Sequence, residues 1–150
     1  MSDQSCLFFA LLPPASLAAS LKRLACDEQI ESHELITRTE QFHLSLRYLG
    51  QTDSAMMRCL LNHAGSIRAK KFTLQLNQTG YWKKSRVSWC APESLNASLQ
   101  LLQNKLEQLC QQCGAKPETK EFKPHLTLLK KLSCEHKTKR ISLAPWPVSD

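Results

Sequence analysis

Phe42-His43-Leu44-Ser45-Leu46 has a counterpart later in the chain, His125-Leu126-Thr127-Leu128, which follows Phe122-Lys123-Pro124. The two histidines are 125 − 43 = 82 residues apart in a chain of 150 residues. In each copy a histidine and a hydroxyl residue lie two positions apart, with apolar residues between and after them. Positions i and i+2 of a strand point to the same side. Each copy therefore predicts a strand with one apolar face and one face that carries an imidazole and a hydroxyl.

Four polar side chains would converge if the two strands lay side by side. Two imidazoles and two hydroxyls suit acid–base chemistry on a phosphate ester, because histidine exchanges protons near neutral pH. One histidine in an apolar strand is more often an ordinary core residue than a catalyst. The repetition of the same pair at the same offset favours catalysis by His43 and His125.

The paired motifs resemble those of the two-histidine phosphoesterase superfamily, and in particular its RNA 2',3'-cyclic phosphodiesterase branch, the ThpR/LigT proteins. The resemblance covers residues 6 to about 148. Further stretches that carry it are Leu7-Phe8-Phe9-Ala10-Leu11, the run from Leu44 to Gly50, Trp82-Lys83-Lys84-Ser85-Arg86-Val87 and Pro124.

The resemblance implies an α+β fold with two pseudo-symmetric lobes. Each lobe would be a mostly antiparallel sheet with outer helices, and the central groove between them would hold one motif from each. Apolar periodicity predicts the elements themselves. In chain order these are a central strand over Cys6 to Leu12, a helix from about Pro14, a short strand at Leu35-Ile36, a motif strand over Phe42 to Leu49, a helix capped by Asp53, a strand over 72–76, a turn over 77–86, a strand over 87–90, a helix from Pro92 to Cys113 with Gly114 after it, a motif strand over Phe122 to Leu129 and a last short strand within 141–148.

Strict alternation along the first motif strand predicts which residues are buried. Phe42, Leu44, Leu46 and Tyr48 would face the core, whereas His43, Ser45 and Arg47 would face the other way, and Gly50 would end the strand.

The composition is typical of one globular domain with a core, since 42% of the residues are hydrophobic. A net charge of +7 favours a polyanionic partner. The seven cysteines would suggest disulfides in a secreted protein. The acidic start Met1-Ser2-Asp3 and the short apolar run after it do not fit a secretion signal or a membrane span. We therefore expect a cytoplasmic protein with reduced thiols.

The cysteines and the histidine at Cys110, Cys113, Cys134 and His136 allow one interpretation as a zinc site. Cys113 lies on the apolar stripe of a predicted helix and Cys110 adjoins it, which favours packing over metal binding. We expect no metal and no cofactor.

Two basic clusters favour an RNA partner. Lys130 and Lys131 follow the second motif, with Lys137, Lys139 and Arg140 beyond them. A second cluster combines cations and aromatic rings, which suits the backbone and a stacked base of a single strand. Its members, predicted as RNA contacts, are Tyr81, Trp82, Lys83, Lys84 and Arg86. Tyr81 and Trp82 could equally cover the core, and the sequence leaves both interpretations open.

The resemblance implies hydrolysis of RNA 2',3'-cyclic phosphate ends to a 2'-phosphate without a metal. His43 would be the proton donor to the 3' leaving oxygen, and His125 would be the proton acceptor that activates water. Ser45 and Thr127 would bind the phosphoryl oxygens. Lys130 would contribute its charge where close relatives have arginine, although strand parity places it opposite His125 unless the strand twists or bulges.

Two other functions stay open at this point. One is 2',5'-RNA ligase or 2',5'-phosphodiesterase activity, which the same residues could support. The other is binding of RNA ends without turnover.

The end of the chain also differs from the family pattern. Relatives usually continue with a further strand, a turn and another short strand, and this sequence ends at Asp150. We expect a single domain over 1–150 that lacks those strands. It would be a monomer, with edge-to-edge pairing of two copies as a consequence of the missing strands.

Overall fold

The computed structural model describes residues 4–149. The predictions that concern Met1-Ser2-Asp3 and Asp150 lie partly outside this range. Three helices and nine strands lie within it. In chain order they are β1 Ser5–Leu11, α1 Ala15–Glu28, β2 Leu35–Ile36, β3 Leu44–Thr52, α2 Ser54–Ala64, β4 Phe72–Leu74, β5 Gln78–Trp82, β6 Val87–Ala91, α3 Ala97–Gln112, β7 Leu126–Lys130, β8 Lys139–Arg140 and β9 Trp146–Val148.

Seven strands form one sheet in the order β1-β3-β7-β6-β5-β8, with β2 paired to β7 as well. Strands β4 and β9 form a separate pair, and every strand pairing is antiparallel. The protein thus has the α+β fold with antiparallel sheet that the resemblance implies. The two motif strands, β3 and β7, are neighbours in the middle of this sheet.

Helices α1 and α3 each pack against the motif strand of the other half of the chain. Helix α1 packs against β7, and α3 packs against β3. Each helix follows a strand of its own half of the chain, so the two halves are interlocked through the β3–β7 pair. The core between these helices and strands is mostly leucine, including Leu17, Leu21, Leu44, Leu99 and Leu126, each at most 2% exposed.

Two helix boundaries confirm local signals in the sequence. The Asp53 carboxylate accepts a hydrogen bond from the Met56 N–H at 2.8 Å, so Asp53 caps α2 as predicted. Gly114 has φ of +99° just after α3, the left-handed conformation that favours glycine there. Helix α3 begins later than predicted, at Ala97, because the Asn96 side chain accepts from the N–H groups of the first turn.

Several strand predictions were wrong. The second motif strand begins at Leu126 and ends at Lys130, whereas the prediction was Phe122 to Leu129. Strand β1 lies at the edge of the sheet, not in its centre, and Phe8 is 47% exposed. An apolar run does not show how many strands pair with it. The predicted turn over 77–86 contains β5, so the turn of the β5–β6 hairpin is only the four residues between Trp82 and Val87.

The predicted alternation along the first motif strand holds only as far as Leu46. In the pairing with β1, Ala10 lies opposite Ser45 and Phe9 lies opposite Arg47, so Leu46 is an extra residue in a bulge. The bulge reverses the facing of the residues that follow. Arg47 is therefore buried and Tyr48 is 59% exposed, which is the opposite of the prediction. The strand also continues past Gly50 to Thr52.

The prediction that all cysteines are reduced was wrong. Cys59 and Cys113 form a disulfide between α2 and the end of α3. Their Cα atoms are 5.7 Å apart because the two helices pack together, a proximity that 54 residues of sequence separation conceal. The other five cysteines are free. Burial raises the pKa of the Cys90 thiol to about 12, so that thiol stays protonated and packs as a small apolar group.

No helix within residues 4–149 combines the length and the apolar character that crossing a membrane requires.

Candidate active site

The two motifs meet at one antiparallel residue pair, Leu44 with Leu126. Both leucines are fully buried, so the residues before and after them face the other side of the sheet. Antiparallel order then places His43 across from Thr127 and Ser45 across from His125. Each histidine is therefore opposite the hydroxyl of the other motif, and not beside its own.

Two cavities confirm this crossed arrangement. A cavity of about 750 Å³ is lined by His43 and Thr127, and a cavity of about 580 Å³ is lined by Ser45 and His125. All four residues predicted from the repeated motif thus reach open space on one face of the sheet. The two histidines are close enough to interact, because burial lowers the pKa of His125 and the nearby His43 lowers it further.

Both imidazoles are held in the same way. The Nδ1 atom of His43 lies 2.7 Å from the Gln41 carbonyl oxygen, and the Nδ1 atom of His125 lies 2.8 Å from the Lys123 carbonyl oxygen. A carbonyl oxygen only accepts hydrogen bonds, so each Nδ1 must carry the proton. Each Nε2 is then free to accept a proton, or to donate one when the ring is charged.

The surroundings of His125 are more apolar. The indole of Trp82 packs edge-on against its ring at 4.4 Å between centroids, and Trp89 packs on Trp82 at 5.5 Å. Trp89 lies across Gly80 of the neighbouring strand, where a Cβ atom would come within 2.2 Å of the indole. Burial, opposed by the hydrogen bond to the Lys123 carbonyl and assisted by His43, holds the pKa of His125 below its ordinary value.

His43 has a different neighbour. The Phe8 ring lies 5.0 Å from its ring, tilted by 40°. Phe8 is half-exposed and lines the same cavity. The role of Phe8 was not predicted from the sequence, because β1 reads as an apolar run whose side chains all face a core.

Lys130 lines the cavity of His43 and Thr127. In the pairing with β6, Trp89 lies opposite Thr127 and Ser88 lies opposite Leu129, so Leu128 is an extra residue. This is the bulge that strand parity required for Lys130 to reach the side of the histidines. It matches the bulge at Leu46 in the first motif, and Tyr48, at the position equivalent to Lys130, lines the cavity of Ser45 and His125.

The predicted RNA contacts separate into three groups. Trp82 lines the cavity of His125. Tyr81 is half-buried, packs against the main core and stacks on His136, with ring centroids 6.3 Å apart. The cations occupy the exposed β5–β6 turn, outside the linings of both cavities; they are Lys83, Lys84 and Arg86.

The four residues considered as a zinc site do not assemble among the described residues. Cys113 is bonded to Cys59, and Cys110 is buried in a small core cluster with Leu60 and Leu109. Cys134 and His136 instead lie beside Glu34, at the end of the loop before β2. Arg38 is a further cation that the sequence reasoning missed, and it lines the cavity of His43.

The family assignment rests on a match over most of the chain. The model of the 2'-5' RNA ligase superfamily matches residues 13–142. The chain belongs to the 2'-5' RNA ligase superfamily, the two-histidine phosphoesterases. This match includes both motifs and every residue that lines the two cavities except Phe8 and Leu12.

Curated members of this superfamily include two that are similar to the chain. The RNA 2',3'-cyclic phosphodiesterase of Escherichia coli (strain K12) is 30% identical over 133 residues, which cover 89% of this chain and 76% of that protein. The RNA 2',3'-cyclic phosphodiesterase of Aeropyrum pernix is 28% identical over 92 residues, which cover 59% of this chain and 52% of that protein.

Solved structures share the fold. A phosphoesterase crystal structure superposes with a TM-score of 0.83 at 24% identity, covering 99% of this chain and 100% of that chain. E. coli LigT complexed with 3'-AMP superposes with a TM-score of 0.80 at 24% identity and the same coverage. The superfamily fold is therefore present over nearly the whole chain.

Proposed function

We propose that the protein hydrolyses RNA 2',3'-cyclic phosphate ends to a 2'-phosphate by acid–base catalysis with two histidines. The observation that carries this proposal is the crossed arrangement, in which each imidazole is opposite the hydroxyl of the other motif. A cyclic phosphate placed over the Leu44–Leu126 pair would have one imidazole and one hydroxyl on each side. The names of the two curated relatives support this substrate class.

The reaction needs a proton acceptor and a proton donor on opposite sides of phosphorus. Water attacks phosphorus and gives its proton to one Nε2, while the bond from phosphorus to O3' breaks and O3' takes a proton from the other Nε2. The products are a 2'-phosphate and a free 3'-hydroxyl. Ser45 and Thr127 donate hydrogen bonds to the non-bridging oxygens, and Lys130 balances their charge.

The surroundings favour His125 as the acceptor and His43 as the donor. An acceptor must be neutral before it acts, and burial lowers the pKa of His125. The Nδ1–H bond to the Lys123 carbonyl orients the lone pair of Nε2 away from the backbone. His43 then supplies the proton to the leaving oxygen, as the resemblance implies.

The proposed chemistry uses no metal. Two imidazoles and two hydroxyls account for both proton transfers and for phosphoryl binding. EDTA should leave the rate of hydrolysis unchanged at temperatures well below melting. A rate that falls in EDTA and returns with a divalent ion would contradict this part of the proposal. A cytoplasmic location and an RNA partner belong to the same proposal, and the net charge of +7 supports the latter.

The direct test is product analysis with an oligoribonucleotide that ends in a 2',3'-cyclic phosphate. We expect a single product with a 2'-phosphate and no change when the substrate ends in a 3'-phosphate. A 3'-phosphate product would reverse the assigned leaving group. Stoichiometric binding without turnover between pH 5 and 9 would instead support an RNA-end-binding module.

The superfamily description favours a second activity, formation or cleavage of 2',5' linkages. Attack by an RNA 5'-hydroxyl in place of water would use the same two proton transfers and would leave a 2',5' bond. Supplying a 5'-hydroxyl oligonucleotide together with the cyclic-phosphate oligonucleotide tests this. A joined product that resists a 3',5'-specific nuclease would show ligation, whereas hydrolysis alone would favour the first function.

A further inference from the structure

Two loops outside the histidine cavities are joined by one buried carboxylate. Glu34 is 2% exposed and precedes β2. Its Oε1 accepts hydrogen bonds from the N–H groups of Ile30 and Glu31, at 2.8 and 3.0 Å. Its Oε2 accepts a longer bond, 3.3 Å, from the N–H of Ser133 in the segment after β7. Oε1 is thus fully used by the backbone, whereas Oε2 retains capacity for another partner.

Two metal-binding side chains lie next to this carboxylate. Cys134 Sγ, a ring nitrogen of His136 and a carboxylate oxygen of Glu34 all lie within 4.8 Å of one another. Bond lengths of about 2.0 to 2.3 Å around a tetrahedral zinc ion place its donor atoms roughly 3.3 to 3.8 Å apart. Cys134 is exposed and is not part of a disulfide, so its side chain would have to turn towards Glu34 and His136 for the three donors to reach one ion.

A second observation concerns His136 itself. Its side chain is only 6% exposed, and its Nε2 is buried with no hydrogen-bond partner among the described residues. A buried polar atom without a partner is costly and calls for an explanation. Nδ1 lies 3.6 Å from a carboxylate oxygen of Glu28, whose charge Lys139 balances in an ion pair. A carboxylate behind one ring nitrogen is the usual support of a histidine whose other nitrogen binds a metal.

We propose that Cys134, His136 and Glu34 bind a zinc ion that joins the segment after β7 to the loop before β2. Nε2 of His136 and Oε2 of Glu34 are the atoms with free capacity, and the thiol of Cys134 releases its proton to solvent when it binds. A thiolate, an imidazole and a carboxylate with water as fourth ligand suit zinc. This assignment departs from the expectation of no metal, which was argued from Cys110 and Cys113.

The ion would hold two loops together and would take no part in the proposed hydrolysis. None of Glu28, Glu34, Cys134 and His136 lines either histidine cavity. Glu34 leads directly into β2, where Leu35 pairs with Lys130, so the ion would secure the rim of the cavity of His43. Zinc should therefore raise thermal stability and leave the chemical step to the histidines.

Zinc binding by the chain of residues 1–150 tests the proposal. A second group, Cys59, His63 and Cys113, could also bind zinc if its cysteines were reduced. The protein is therefore kept free of thiol reductants, so that the Cys59–Cys113 disulfide prevents zinc binding there. We expect one zinc ion per chain after gel filtration, measured by mass spectrometry of the metal, and a higher Tm with zinc than without it. Cobalt in place of zinc should give thiolate-to-metal charge-transfer absorption.

Matched variants separate a zinc site from a buried ion pair beside an exposed cysteine. Cys134→Ser should abolish the cobalt absorption and weaken zinc binding at least tenfold, whereas Cys26→Ser, another exposed free cysteine, should change neither. Glu28→Gln should weaken zinc binding about 10-fold to 100-fold. Absence of stoichiometric zinc from the wild-type protein, or equal binding by Cys134→Ser, would overturn the proposal.

Discussion

The two motif strands have the same backbone and different neighbours. Residues 44–48 and 126–130 share one burial pattern, in which the first, third and fourth residues are buried and the fifth is exposed. Each strand has a bulge after its hydroxyl residue, at Leu46 and at Leu128. Each is also preceded by a histidine whose Nδ1 is hydrogen-bonded to a backbone carbonyl oxygen.

The differences lie in what surrounds this common frame. His125 packs against an indole and is desolvated, whereas His43 packs against the half-exposed Phe8. Just after the bulge, the first strand buries Arg47 and the second buries Leu129. One residue further on, Tyr48 and Lys130 line opposite cavities. A symmetric frame thus places two equal imidazoles, and the unequal neighbours leave His125 buried, which lowers its pKa.

The largest expected effect comes from removing either imidazole. His43→Gln and His125→Gln should each lower kcat/KM by about 10²-fold to 10⁴-fold, because each removes one proton transfer. The measurement is hydrolysis of a cyclic-phosphate oligonucleotide by variants with an unchanged circular dichroism spectrum. His63→Gln, on the exposed side of α2, is the control. Wild-type rates in either folded variant would show that the two motifs are not equivalent partners.

Arg47→Leu makes the first strand resemble the second at the position of Leu129. Arg47 forms an ion pair with Glu107 and donates to the carbonyl oxygens of Tyr48 and Lys116. Its removal leaves the Glu107 carboxylate without its cationic partner, so the free energy of unfolding should fall by about 3 kcal/mol. Urea unfolding measures this.

Arg58→Leu, which removes an exposed arginine of α2, is the control for loss of charge. A loss below about 1 kcal/mol for Arg47→Leu would mean that leucine is as good as arginine at both equivalent positions.

Lys130→Ala should lower kcat/KM by about 10-fold to 100-fold, since a charge-assisted hydrogen bond contributes about 1.5 to 3 kcal/mol. Lys130→Arg should retain most activity, and Tyr48→Phe, at the equivalent position, should have a smaller effect. Lys71→Ala removes the same charge from an exposed site outside both histidine cavities. Equal effects of Lys130→Ala and Lys71→Ala would reduce Lys130 to general surface charge.

A smaller effect is expected in the pH dependence. One histidine must be neutral and the other charged, so kcat/KM against pH should be bell-shaped. Because burial lowers the pKa of His125, activity should persist below pH 6.5 and fall only as the pH passes through that lowered pKa. Trp82→Ala admits water to His125 and should raise this acid limb towards 6.5.

Phe8→Ala, which removes the ring beside the other histidine, is the matched variant for that measurement. It should leave the acid limb in place. If Phe8→Ala moves the acid limb and Trp82→Ala does not, His43 is the acceptor.

The smallest effect concerns the exposed turn between β5 and β6. Lys83→Ala combined with Lys84→Ala should reduce the salt dependence of binding to long RNA, by about 1.4 in the slope of log K against log salt if both contact phosphate. For a dinucleotide that ends in a 2',3'-cyclic phosphate, the double substitution should not change the salt dependence of binding. Such a short substrate would not reach beyond the cavities to the turn. An unchanged slope with long RNA would show that Lys83 and Lys84 do not contact RNA phosphates.

Sequence reasoning succeeded where the controlling interactions are local. The period of two around His43 and His125, the Asp53 cap and Gly114 each depend on a few consecutive residues, and all lie where they were predicted. Prediction failed where a bulge gives one strand an extra residue relative to the strand that pairs with it. The bulges that bury Arg47 and turn Lys130 towards Thr127 exist only in the pairing with β1 and β6.

By itself, the sequence determined that two histidine–hydroxyl strands form and that their leucines are buried, because apolar alternation selects a strand face whatever lies beside it. Only the tertiary structure decided that the motifs cross, with His43 opposite Thr127, because that depends on the antiparallel register of segments 82 residues apart. It also decided the lowered pKa of His125 and the meeting of Glu34 with Cys134 and His136. Desolvation and metal-ligand geometry are properties of neighbours in space, and neighbours are set by packing.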